Sequence, residues 1–174
     1  MIGDGMHALV KRALAATDTA DENFDCAYAK FLEVYSANPT KLTELYPGVA
    51  QTLQSLNTAG IPLGLCSNKP QALSITILNR LHIAQYFDVV LGGDVVPHRK
   101  PDPRHLLETI RQLDAPATSS FMIGDSENDY NSARAAGVPV ILMSYGYLHG
   151  PPDSVEPDAW LDRFSDIPGA LDRF

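Results

Sequence analysis

A chain of 174 residues, 45% hydrophobic and 20% charged, holds apolar material for one packed domain with room for a small accessory one. Thirteen basic against twenty-one acidic residues give a net charge of −8, which argues against a nucleic-acid or membrane-surface partner. Cys26 and Cys66 are too few and too far apart for a disulfide framework and read as free thiols. With no signal-like or membrane-length apolar run, the expected location is the cytoplasm.

Residues 1–38 read as helical. Met6, Leu9, Val10, Ala13 and Leu14 keep the i, i+3, i+4 stripe of one helix, and Phe24, Ala27, Tyr28, Phe31, Leu32 and Tyr35 keep that of a second. Pro39 stops it. Gly3 and Gly5 open the segment as a loop near Asp4, and a lone pair of glycines is ordinary loop material. Two amphipathic helices with no strand between them predict a small helical cap over residues 1–45.

From Tyr46 the rhythm changes. Pro47 suits a first helical turn, and Val49, Leu53 and Leu56 give that helix an apolar face before Gly60 ends it. A strand follows over Ile61 to Cys66, a helix over Ala72 to Leu81, a strand over Phe87 to Leu91 and a helix over Leu106 to Leu113. The apolar run Phe121, Met122, Ile123 is a strand covered on both faces, the stretch after Asp129 a helix ended by Gly137, and Val138 to Met143 a further strand. A Pro-rich tail ends in a short apolar piece at Ala159 to Leu161. This alternation predicts an α/β fold over residues 46–174, a Rossmann-like parallel sheet with helices on both faces.

In such a sheet the carboxyl ends of the strands share one ligand-binding edge. Gly124 releases the backbone where one strand ends, and Asp125, Glu127 and Asp129 then place three carboxylates within five residues. Carboxylates so crowded repel unless a hard cation such as Mg²⁺ shares them. The plain alternative, a solvated turn whose acids cap a helix, stays open and weighs most for Asp129. Another strand ends at Ser67 and Asn68, a hydroxyl followed by backbone N–H groups at a helix start, which suits phosphate. A third runs into Lys100, set on extended backbone by Pro101. Hydroxyl, lysine and carboxylates after successive strands form one phosphoryl-transfer constellation. The five histidines, His7, His82, His98, His105 and His149, show no zinc-ligand spacing.

On these residues the sequence resembles the haloacid dehalogenase superfamily. LCSNKP is similar to its second motif, RKPDP to its third and GDSENDYNSARAAG to its fourth. GxG followed by LVKRAL, with SNKP and GGDVVPHRKPDP, resembles the phosphoglycolate phosphatase type. The resemblance covers essentially the whole chain. It implies a Mg²⁺-dependent phosphomonoester hydrolase working through an aspartyl-phosphate, on a small phosphorylated metabolite such as 2-phosphoglycolate. It casts Asp125 as metal ligand, Lys100 as charge-offsetting catalytic group and Asp129 as auxiliary catalytic acid. Ser67, Asn68 and Lys100 would bind phosphoryl oxygens, and Arg12 in the cap a substrate carboxylate. Phosphatase activity would belong to carbohydrate metabolism.

The first motif of that family, an aspartate pair of the form DxDGT after a strand, has no counterpart here; Asp4-Gly5 has no partner aspartate two residues away. The expectation is a core without its first, central strand and a chain inactive as it stands. Three other readings remain: a non-catalytic phosphate- or metal-binding remnant, a sugar-phosphate mutase on the same scaffold, and a metal-free dehalogenase, which three carboxylates suit less well. Oligomeric state is not legible.

Overall fold

The computed structural model describes residues 5–17 and 23–173; Gly3 and Asp4 of the opening loop lie outside the described residues. The chain order is α1 (Met6–Ala15), α2 (Phe24–Ala37), α3 (Val49–Thr58), β1 (Gly64–Ser67), α4 (Gln71–Arg80), β2 (Val89–Gly92), α5 (Pro103–Gln112), β3 (Met122–Gly124), α6 (Glu127–Ala136), β4 (Val140–Met143), β5 (Ala159–Leu161) and α7 (Ile167–Leu171). Strands alternate with helices and every paired strand is parallel, an α/β arrangement.

The sheet comes in two pieces. β1 pairs with β2, in register Cys66 opposite Leu91, while β3, β4 and β5 form a separate ladder with Ile123 opposite Ile141. Each piece has its own apolar core. Val49, Leu53, Leu78 and Ile83 pack with Leu65 and Val90 on the β1–β2 side. Leu106, Ile110, Met122, Ala133, Val140 and Leu142 form the other. Helix α5 joins them, packing on β1 and β2 and also on α6. The strand at Ile61 is shorter than its apolar run: Ile61 and Pro62 are exposed and the ladder opens only at Gly64. β4, by contrast, is buried along its whole length, as a strand with neighbours on both sides and helices on both faces should be.

Helix boundaries follow local chemistry. Asp102 caps α5 by accepting the Arg104 N–H at 3.0 Å, with Pro103 at its first position. Gly137, at φ 68°, closes α6 in the left-handed region. Helix α1 buries Met6 and Val10, whereas the apolar stripe of α2 buries no residue and stacks on itself and on α1. Phe24 lies against Tyr28 and His7, and Phe31 against Tyr35. No helix among the described residues is long and apolar enough to cross a membrane.

Candidate active site

Ser67, Asn68, Lys100, Asp125 and Asp129 all stand where a strand ends or just beyond one, and Lys100 is the residue that ties them together. Its ammonium donates to the Cys66 carbonyl at the end of β1 and to Asp129 Oδ1 just beyond β3, both at 2.6 Å. The carboxyl ends of the two sheet pieces therefore meet at one point. Asn68 Nδ2 donates to the Lys100 carbonyl at 2.8 Å, fixing the lysine loop to the β1 loop. The Lys100–Pro101 peptide is cis.

The three carboxylates do not converge on one point, as the acidic turn had suggested. Asp129 Oδ2 accepts the N–H groups of Asp125 and Ser126, at 3.0 and 3.1 Å, and the Ser126 hydroxyl at 2.7 Å. It reaches back to the helix start like the acid of a capping box. Glu127 turns away and accepts the N–H groups of His149 and Gly150 together with the His149 ring. Of the two readings of the turn, the helix cap holds for Asp129, which is buried instead of solvated and also pairs with the lysine. Gly124 is required here: a Cβ at that position would overlap the Asp129 side chain.

Electrostatics separate the roles. Burial pushes the Asp129 carboxyl up, but the Lys100 ammonium and the Ser126 and Asp125 donors outweigh it and hold Asp129 below the ordinary carboxylate range. Burial likewise opposes the charged form of Lys100, and Asp129 reverses this. Asp125 is different. Burial and the adjacent Asp129 push its carboxyl up to about 6, with Lys100 opposing. It is the carboxylate of the turn least compensated by protein donors.

An implied Mg²⁺ can be tested against these groups. Asp125 offers a hard oxygen ligand at the ligand edge of the sheet, as such an ion requires. Among the described residues no group of three or more His, Cys, Asp or Glu could hold a metal. Asp125 fits as one ligand, and the remaining ligands would include water and substrate oxygens.

Ser67 Oγ accepts the Lys69 N–H at 3.2 Å, which leaves its hydrogen to donate. The N–H of Gln71, at the start of α4, is already held by Asp94 at 2.7 Å, so less of that helix start is open to an anion than the sequence suggested. Arg12 is exposed in the last turn of α1 and does not line the cavity beneath the site, which Ser67, Lys100, Asp125 and Asp129 do line.

Several residues were not singled out in the sequence. Tyr147 donates its N–H to the Asp125 carbonyl at 2.7 Å, and Gly146 lies so close to Asp125 that a Cβ would overlap its carbonyl. Tyr46 lies tilted against Tyr145, with ring centroids 4.4 Å apart. A glycine between two tyrosines just after β4 was the available signal. Lys69 reaches Tyr35 of α2, with Nζ 3.0 Å from the hydroxyl.

Residues 1–143 match the family model described as haloacid dehalogenase-like hydrolase. A phosphoglycolate phosphatase of Agrobacterium fabrum is 37% identical over 173 residues, 98% of this chain and 74% of that protein. The chain spans 65–74% of the length of the curated relatives it matches first. A crystal structure titled as a predicted phosphoglycolate phosphatase from Haemophilus somnus superposes with a TM-score of 0.90 at 30% identity, covering 97% of this chain and 78% of that one. A Thermotoga maritima structure, assigned as a β-phosphoglucomutase, gives 0.71 at 25% identity, over 92% and 74%.

Proposed function

The chain belongs to the haloacid dehalogenase-like hydrolases, and from that premise we propose that it serves the Mg²⁺-dependent hydrolysis of 2-phosphoglycolate or a similar small phosphomonoester in the cytoplasm. What carries this reading is the Lys100 ammonium held between Cys66 and Asp129, beside the under-compensated carboxylate of Asp125. The likeness to named phosphoglycolate phosphatases supports the substrate class.

In this reading the Ser67 hydroxyl donates to a phosphoryl oxygen and Asn68 holds Lys100 and a second oxygen in place. Lys100 offsets negative charge on the phosphoryl group as it transfers. Asp129 positions that lysine by its ion pair, and Asp125 presents its carboxylate to the metal. Mg²⁺ bound there would neutralise phosphoryl oxygens and orient the group. Arg12 is our candidate for a contact from the cap to the substrate carboxylate. The 174 residues contain no Asp-x-Asp pair. The chain by itself thus holds the binding and neutralising half of the site without the carboxylate that attacks phosphorus.

The test is an assay of phosphate release from 2-phosphoglycolate with Mg²⁺, on the chain alone and joined to the unmatched segment of the Agrobacterium fabrum relative. We expect turnover only in the joined form, abolished by Asp125→Ala. Robust hydrolysis by the chain alone would mean another residue attacks, and a joined form without activity would reject the phosphatase reading. The Thermotoga maritima likeness favours a second reading, a sugar-phosphate mutase; conversion of β-glucose 1-phosphate to glucose 6-phosphate by the joined form would select it. Absence of an Asp-x-Asp pair keeps a non-catalytic phosphate-binding role as the outcome if neither assay responds.

A further inference from the structure

We propose that Lys69 of the core and Tyr35 of the cap together bind the carboxylate of the substrate, the second anion of 2-phosphoglycolate. The proposal rests on the phosphomonoester reading and adds the residues that select among such esters. Of the thirteen lysines and arginines, all but Lys69 and Lys100 are exposed. Lys100 is buried and has its carboxylate partner in Asp129. Lys69 is half-buried and has no carboxylate partner among the described residues. Its Nζ lies 3.0 Å from the Tyr35 hydroxyl and 4.8 Å from the centroid of that ring. A charge withdrawn from water ordinarily has a counter-ion. An ammonium that faces only a neutral phenol, two residues beyond Ser67, is matched to an anion that arrives with the ligand.

The loop after β1 holds Lys69 in place from both sides. Its N–H donates to Ser67 Oγ at 3.2 Å, and its carbonyl accepts the Gly93 N–H at 3.0 Å. The cap meets the core at this same loop. Tyr35 comes from α2, its ring stacked on Phe31 with centroids 5.6 Å apart. Gly5, before α1, sits so close that a Cβ there would stand 3.4 Å from the Asn68 carbonyl and 3.6 Å from Arg99 Nη1. Because Lys69 donates to the Tyr35 oxygen, the phenol hydrogen is left to donate in turn. An ammonium and a phenol O–H thus offer one carboxylate both a charge and a directed hydrogen bond. The neighbouring helix start does not compete, since its Gln71 N–H is already held by the Asp94 carboxylate at 2.7 Å. A single methylene joins ester oxygen and carboxylate in 2-phosphoglycolate, so the group that reads the carboxylate must stand beside the phosphate loop. A carboxylate at the exposed Arg12 would stay hydrated and gain little.

The experiment titrates the purified chain, with Mg²⁺ present, with 2-phosphoglycolate and with ethyl phosphate, which carries a methyl group in place of the carboxylate, read by isothermal titration calorimetry. We expect 2-phosphoglycolate to bind at least about tenfold more tightly. Lys69→Met should remove most of that preference and Tyr35→Phe part of it, while Lys69→Arg, which keeps the charge, should retain it. Equal affinity of wild type for the two ligands overturns the proposal. So does a preference that survives Lys69→Met, which would pass the carboxylate to another cation such as Arg12. A loss shared equally by both ligands also overturns it, since Lys69 would then serve the phosphate or the fold. Binding of neither ligand removes the subsite together with the phosphate site. The joined form separates this proposal from the reading beneath it. Preference in the chain without hydrolysis in the joined form supports the subsite and rejects the phosphatase, and hydrolysis without preference does the reverse.

Discussion

Lys100 Nζ and Asp129 Oδ1 lie 2.6 Å apart, with both side chains less than a tenth exposed. Twenty-nine residues separate them in sequence, and the pair joins the loop after β2 to the helix after β3. Removing one member of a buried pair leaves the other charged and unpaired, a cost of about 3–5 kcal/mol. Asp129→Ala and Lys100→Met should each lose stability on that scale in urea titration. The double variant should lose less than the sum, because no orphan charge remains. Additive losses would show that the pair contributes no coupling.

Gly124 offers a test by volume alone. A methyl group there meets the Asp129 side chain, so Gly124→Ala must move either β3 or the start of α6. Overpacking of this kind costs about 1–3 kcal/mol. Ala at Gly137, where nothing lies within 4 Å of the added carbon, meets only the strain of its left-handed backbone. Gly124→Ala should also loosen the Lys100 pair, and thermal melts of the Gly124→Ala, Asp129→Ala and combined variants should show sub-additive losses. A Gly124→Ala melt equal to wild type would remove the steric argument.

His105 gives a pH dependence. It is fully buried, and its Nε2 faces the Leu91 carbonyl at 3.2 Å. A carbonyl only accepts, so Nε2 carries the proton and Nδ1 is a buried lone pair with no hydrogen-bond partner. Burial holds the imidazole below its ordinary value; the Leu91 bond opposes this and Lys100 adds to it. The unfolded chain then binds the proton more tightly. Stability from the neutral ring is complete above about pH 6.5 and is lost as pH falls below that, at up to about 1.4 kcal/mol per pH unit. Asp125 acts in the opposite sense: its raised value favours the folded state at low pH, a contribution lost as pH rises through about 6. Comparing wild type with His105→Leu cancels the Asp125 part. Between pH 7 and 5 the variant should lose less stability than wild type, and parallel curves would mean that the imidazole titrates alike in the folded and unfolded chain.

Much of this was legible in the sequence, for reasons that differ by element. The acidic turn could be read because strand, glycine and capping acid are contiguous, and local chemistry decides their shape. That Ser67, Lys100 and Asp125 share an edge followed from strand–helix alternation. The partner of Lys100 could not be read, because a contact across 29 residues depends on how α5 seats the two sheet pieces. The same holds for Gly146 and Tyr147, whose approach to Asp125 is set by β4 lying beside β3. Periodicity overstated α2, since an amphipathic stripe reports a face able to be buried and not what covers it. It also overstated the strand at Ile61, where exposed residues precede the first ladder pair.

The last prediction concerns the chain alone in solution. β1 and β3 border a common cavity of about 600 Å³, and the half-burial of Leu65, Cys66 and Ile123 shows how far the core is open there. A strand of about five apolar side chains, at roughly 2 kcal/mol each, gives about 10 kcal/mol for what would fill it. That is comparable with the entire stability of an ordinary domain, about 5–15 kcal/mol. Apolar strand edges without partners also favour association between copies. The expected behaviour is poor solubility, early elution in size exclusion and a broad melt. Each sheet piece keeps its own small core, so α5 is the element whose loss of packing should separate them first. A monomer with one sharp transition above about 50 °C, within the usual mesophile range, would show instead that the two pieces hold each other without a strand between them.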